Sequence, residues 1–135
     1  MKTKIIIVFT VFITFFSCKN EVKEEIKPIV ENSKTTEIQL IQFHTEHRCV
    51  TCNNIEKLSK ETIKENDAIS FVLYNVDDKK NEKLAEEFEA TGTSLYLYNS
   101  KTKAIKDLTE MAFMYAKNEG EKFKTELQKE ISEFK

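Results

Sequence analysis

Ile38-Gln39-Leu40-Ile41-Gln42-Phe43-His44-Thr45-Glu46-His47-Arg48-Cys49-Val50-Thr51-Cys52 is the stretch that decides the fold. Its first six residues form an apolar alternating run, the signature of a strand with at least one buried face. After Cys52, the residues Ile55, Leu58 and Thr62 recur at helical spacing. The stretch therefore reads as strand, short loop and helix, with two thiols at the helix N-terminus. Residues at i and i+3 share one face of a helix, so the two sulfurs can approach disulfide geometry without distortion. Orphan backbone N–H groups and the helix dipole favour a thiolate on the first cysteine. The chemistry implied is electron transfer on sulfur.

The chain has 135 residues, short enough for one domain. Charged residues make up 33% and hydrophobic ones 40%, which suits a small domain with a modest core. The formal net charge is −2, and no basic patch with interleaved aromatics stands out, so nucleic acid is not an expected partner. Gly occurs twice and Pro once, which excludes a low-complexity chain. The three cysteines are Cys18, Cys49 and Cys52, and the odd one needs its own explanation.

The first 17 residues supply it. Lys2 and Lys4 form a basic start, and Ile5 to Phe16 is an apolar run too short to span a bilayer comfortably. It ends at Phe15-Phe16-Ser17-Cys18, which resembles a bacterial lipoprotein signal, where a small residue precedes the cysteine that becomes the lipidated N-terminus. Phe15 stands where that pattern has Leu. The alternative is an ordinary cleaved signal or an uncleaved anchor with Cys18 incidental. On the lipoprotein reading, residues 1–17 are a signal peptide and residues 18–36 are a lipidated terminus and flexible tether. The domain then occupies residues 37–135. Cys18 is consumed by lipid, leaving a clean pair of thiols in the cell envelope, periplasmic or outer-surface, where disulfides persist.

Along the domain, Glu37–His44 reads as a strand and Cys49–Asn66 as a helix. Ile69–Val76 is an apolar, β-branched and aromatic run of strand length. Asp77-Asp78 can cap a helix over Lys79–Glu89, with Leu84 and Phe88 inward and Ala90-Thr91-Gly92 closing it. Thr93–Tyr98 and Lys103–Leu108 are strands joined by the glycine-free turn Asn99-Ser100-Lys101-Thr102. Helix then runs to the end, broken near Asn118-Glu119-Gly120. The order is β-α-β-α-β-β-α. Helical crossovers predict parallel strands in the first half, and the hairpin predicts an antiparallel pair after it.

With that order and the C-V-T-C dithiol, residues 37–135 resemble the thioredoxin-like superfamily. A second stretch carries the resemblance: Leu84-Ala85-Glu86-Glu87-Phe88-Glu89-Ala90-Thr91-Gly92-Thr93-Ser94-Leu95. It looks like the family's run from second helix into third strand. The resemblance implies an α/β fold, a four-stranded mixed sheet flanked by helices. It also implies that the backbone at Thr93 and Ser94 meets substrate. Three departures mark the chain as divergent. Ser94 stands in place of the family's cis-proline, so a trans bond is expected there. Gln42 lies near the position of a buried acid. His44-Thr45-Glu46-His47-Arg48 replaces the family's tryptophans.

Together with the lipoprotein-like signal, the resemblance implies a membrane-tethered thiol–disulfide oxidoreductase, acting as a monomer on protein thiols or disulfides and needing no cofactor beyond its own disulfide. Cys49 would be the nucleophile and Cys52 the resolving thiol, with His47 and Arg48 lowering the Cys49 pKa. A disulfide that merely staples the helix start is the bland alternative, but its closed loop is very short and stabilises little. Cys49, Cys52, His47 and His44 also make a possible transition-metal or iron–sulfur set. A thioredoxin-fold adaptor with an inert disulfide is the third reading. Met111, Phe113 and Met114 read as core or a small docking face.

Overall fold

The computed structural model describes residues 36–134. The expected signal peptide, Cys18 and nearly all of the expected tether lie outside the described residues. The elements are β1 (Ile38–His44), α1 (Val50–Ile63), β2 (Ile69–Asn75), a 3-10 turn (Lys79–Asn81), α2 (Glu82–Glu87), β3 (Ser94–Asn99), β4 (Ile105–Asp107), α3 (Thr109–Ala116) and α4 (Gly120–Glu133). The four strands form one sheet in the order β2-β1-β3-β4. This order, with helices on both faces, is the thioredoxin-like α/β arrangement.

β1 and β2 pair in parallel, Ile38 opposite Ile69 and His44 opposite Asn75. β3 runs antiparallel to β1, with Ser94 opposite Phe43, although a helix separates β2 from β3. The crossover rule does not hold there, because the connection of residues 76–93 does not carry the chain back to the other end of the sheet. The chain therefore re-enters the sheet at the end where it left. That puts the start of β3 beside the end of β1, where the dithiol begins.

The predicted helix over Lys79–Glu89 is also corrected in detail. It splits into the 3-10 turn, capped by Asp78 Oδ1 accepting from Lys80 N at 3.1 Å, and α2 proper. Glu89, at φ 53°, ends α2, and Ala90 N donates back to Ala85 O at 2.8 Å. Closure of this kind usually falls to glycine, but neither glycine has positive φ. The β3–β4 turn closes without glycine because Asn99 Oδ1 accepts from both Lys101 N (2.9 Å) and Thr102 N (3.0 Å). Lys103 takes the left-handed position at φ 65°.

Strand alternation splits the core in two. Leu40, Leu95 and Leu97 face Ile55 of α1, Ala112 of α3, and Phe123 and Leu127 of α4. Ile41, Phe43, Val72, Tyr74 and Tyr96 face α2, with Ala85 and Phe88. Phe43 is completely buried and its ring lies 5.5–5.9 Å from those of Phe88, Tyr74 and Tyr96. Met111 packs against the first cluster, whereas Phe113 and Met114 remain exposed. Phe43→Ala is expected to lower stability by about 3–5 kcal/mol, read from chemical denaturation, because the cavity opens in a cluster that cannot collapse around it.

Candidate active site at the N-terminus of α1

Cys49 is the N-cap of α1 and Cys52 lies in its first turn. Cys49 takes an extended conformation (φ −78°, ψ 164°), and its Sγ accepts the Cys52 N–H at 3.1 Å. The two are joined as a disulfide with Cα atoms 5.1 Å apart, inside the usual range. A sulfur in this place does what a Ser or Asp cap oxygen does, answering one of the orphan N–H groups of the helix. The same N–H would hold negative charge on Cys49 once the bond is cleaved. No acidic residue stands in the first turn to oppose it. Cys49 is exposed and Cys52 is buried, at 5% exposure. Val50 beside them is 76% exposed, an apolar surface at the mouth of the site.

Below the dithiol lies Gln42. It shares the parity of Leu40 on β1 and so points to the α1 face, where it is fully buried. Its Nε2 donates to the Cys52 carbonyl at 3.0 Å. Its Oε1 is buried with no partner among the described residues. The position that resembles the family's buried acid thus holds a neutral amide in direct contact with the deeper cysteine.

The loop between β1 and α1 carries the other predicted residues. It is fastened to the turn after β2: Val76 N donates to His44 O at 2.9 Å, and Glu46 N to Asp77 Oδ2 at 2.7 Å. His44 Nδ1 meets Thr45 O at 2.8 Å, which places a proton on Nδ1 because the carbonyl can only accept. His44 also borders a cleft of about 210 Å³ between α1 and the end of β2, together with Glu56, Lys60, Phe71 and Asn75. His47 is exposed. Among the described residues, with the disulfide closed, no group of three or more His, Cys, Asp or Glu side chains is gathered to hold a metal ion.

Arg48 has a partner the sequence reading missed. Its Nη1 lies 2.6 Å from Glu56 Oε2, and Glu56 Oε1 accepts from Lys60 at 2.8 Å. Burial pushes the Glu56 carboxyl up, but the hydrogen bonds and charges of Lys60 and Arg48 outweigh it and hold the carboxyl below its ordinary value of 4.5. The charge assigned to thiolate stabilisation is therefore shared with a carboxylate about two turns along α1. The Glu56–Lys60 spacing of four was legible as a helix pair, but nothing in the sequence showed that Arg48 reaches it.

Ser94 opens β3 opposite Phe43, so the Thr93–Ser94 backbone sits at the dithiol end of the sheet. Ser94 is buried, its Oγ directed at Gly92 O at 3.4 Å, and Thr93 is half-buried. The peptide bonds of the described residues are all trans, including the one before Ser94.

No family model and no curated protein matches the chain. Among solved structures it is similar to the oxidised form of mitochondrial thioredoxin 3 from Saccharomyces cerevisiae, with 19% identity over 75% of this chain and 82% of that one, at a TM-score of 0.49. Thioredoxin f2 of Chlamydomonas reinhardtii is another, with 21% identity over 61% of this chain and 77% of that one, at 0.44.

The Glu56 cluster has a pH signature. A carboxyl held low in the folded state contributes stability that is present above its unfolded value and lost as pH falls through the folded one. Glu56→Gln is expected to be less stable than the natural protein at pH 7. The difference should shrink as pH drops below 4.5 and vanish once Glu56 is protonated in both states, as followed by urea denaturation at each pH.

Proposed function

We propose that the domain exchanges electrons with protein thiols and disulfides through Cys49 and Cys52. One observation carries this reading: an exposed cysteine caps a helix with its sulfur on a backbone N–H, bonded to a buried cysteine one turn deeper. A staple has no need of that asymmetry, and exchange chemistry does.

In the reducing direction, the Cys49 thiolate attacks a client disulfide. A mixed disulfide forms and the first client thiolate leaves. Cys52 then gives up its proton and attacks Cys49 Sγ, closing the internal disulfide and releasing the second client thiolate. Two electrons pass from the pair to the client; with Cys49 ionised, one proton comes from Cys52 and the second client thiolate takes its proton from solvent. In reverse, the oxidised pair accepts them from a client dithiol, and a second dithiol or disulfide partner resets the protein. Val50 supplies an apolar contact, and the Thr93–Ser94 backbone at the dithiol end of β3 is where the resemblance would have a client chain pair. Arg48 brings positive charge to the approach, and Glu56 moderates it.

The setting belongs to the same proposal. The leader at residues 1–17 and Cys18 fit export and lipid anchoring. In the described residues no helix is long and apolar enough to cross a membrane. On this reading the anchor is the lipid on Cys18, and Cys18→Ser should move the protein from the membrane fraction to the soluble one.

The catalytic claim is tested with the full chain. Turnover of a model protein disulfide such as insulin is expected from the natural protein and from neither Cys49→Ser nor Cys52→Ser. Cys52→Ser should accumulate a mixed disulfide with the substrate through Cys49, seen on non-reducing gels and lost in Cys49→Ser. Absence of both turnover and adduct would contradict the proposal.

A further inference from the structure

The buried carbonyl oxygen of Gln42 is a polar atom beside the dithiol for which the exchange reaction described above gives no role. The orientation of the amide is fixed. The Cys52 carbonyl can only accept, so the Gln42 atom facing it at 3.0 Å is the NH₂ group, and Oε1 is the other. Gln42 is fully buried, and Oε1 has no partner among the described residues while the disulfide is closed. A buried acceptor left unanswered destabilises the state that contains it. That state here is the oxidised one.

We propose that Gln42 is a redox-linked positioning residue: in the reduced protein its Oε1 accepts the S–H of Cys52, which stabilises the dithiol against the disulfide. The proposal rests on the exchange reading and concerns the same two sulfurs. In the disulfide, Cys52 Sγ has no hydrogen to give. Reduction by a thiol such as glutathione breaks the S–S bond, and two glutathione thiols become one glutathione disulfide. Of the two protons delivered with the two electrons, one stays on Cys52. The other goes to solvent when Cys49 remains a thiolate on the Cys52 N–H. The new S–H arises on the very residue that the Gln42 amide already holds, in a pocket where Cys52 is 5% exposed and water does not compete freely.

The two hydrogen bonds of the amide then act differently. The Nε2 bond to the Cys52 carbonyl is made in both redox states and cancels from the redox equilibrium. The Oε1 bond is made only in the reduced state and does not cancel. Gln42 therefore shifts the potential upward and keeps the proton on the resolving thiol, leaving Cys49 as the sulfur that reacts with outside electrophiles. An amide performs this role without itself taking up or releasing a proton.

The test is the equilibrium of the full-length protein with glutathione, comparing the natural chain with Gln42→Met and Gln42→Glu at pH 5. Methionine keeps the volume and removes both hydrogen bonds. Burial keeps the glutamate protonated, so it retains an acceptor and a donor. Gln42→Met is expected to favour the oxidised form by about fivefold, which is about 20 mV toward more negative potential, and Gln42→Glu to restore the natural value. If Gln42→Met melts earlier in both redox states yet keeps the natural equilibrium constant, Gln42 is structural only and the proposal fails. If the natural pair does not equilibrate with glutathione at all, it is the exchange reading that fails. Should the methionine variant not fold, the S–H stretching band of the reduced natural protein, isolated by subtracting Cys52→Ser, decides. A band shifted down by hydrogen bonding is expected, and one at the position of a free thiol overturns the proposal.

Discussion

The hydrogen bond from Gln42 to the Cys52 carbonyl fastens the dithiol to the sheet. α1 lies against β1 through Ile55 on Leu40 and their neighbours, an apolar contact that by itself permits sliding. A directional bond of about 1 kcal/mol from the centre of β1 fixes where the first turn of α1 sits. With that turn placed, Cys49 projects to the surface and Cys52 does not. Cys52 therefore lies on the side of α1 that faces the sheet and its buried amide, and Cys49 caps the helix at the surface.

Around this anchor the electrostatics are arranged for moderation. The N-terminus of α1 and the Cys52 N–H favour negative charge on Cys49. Arg48 would add to that, but it is paired with Glu56, which is shared with Lys60. The helix terminus is consequently the more direct influence on the outer sulfur. The loop from β1 to α1 is held by Asp77 and by the Val76–His44 backbone bond, so the residues before Cys49 are positioned by the turn after β2. The two histidines serve that loop and the cleft beside it, and are not gathered with the cysteines into a metal-holding group.

Much of the fold was legible because its signals are local. The β-α-β-α-β-β-α order and the break between α3 and α4 follow from periodicity and from one glycine. The direction of β3 was not legible from the crossover rule, since it depends on the end of the sheet to which residues 76–93 return the chain, and no local pattern encodes that. Glu89 in the left-handed region was hidden for a similar reason: tertiary packing of Phe88 and Ala90 over-determines a conformation that composition would give to glycine. At the site, the dithiol and the unusual Gln42 were readable one residue at a time. The Arg48–Glu56 pair and the orphaned Oε1 were not, because both require knowing which way a side chain turns.

The central claim is that Cys49 and Cys52 exchange electrons with other proteins. The reduction potential of the pair in the full-length protein tests it most directly. A value between about −120 and −270 mV, in the range of working dithiol proteins, is the predicted result. A value below about −300 mV, with no exchange against thiol partners, would mark a structural disulfide and contradict the account.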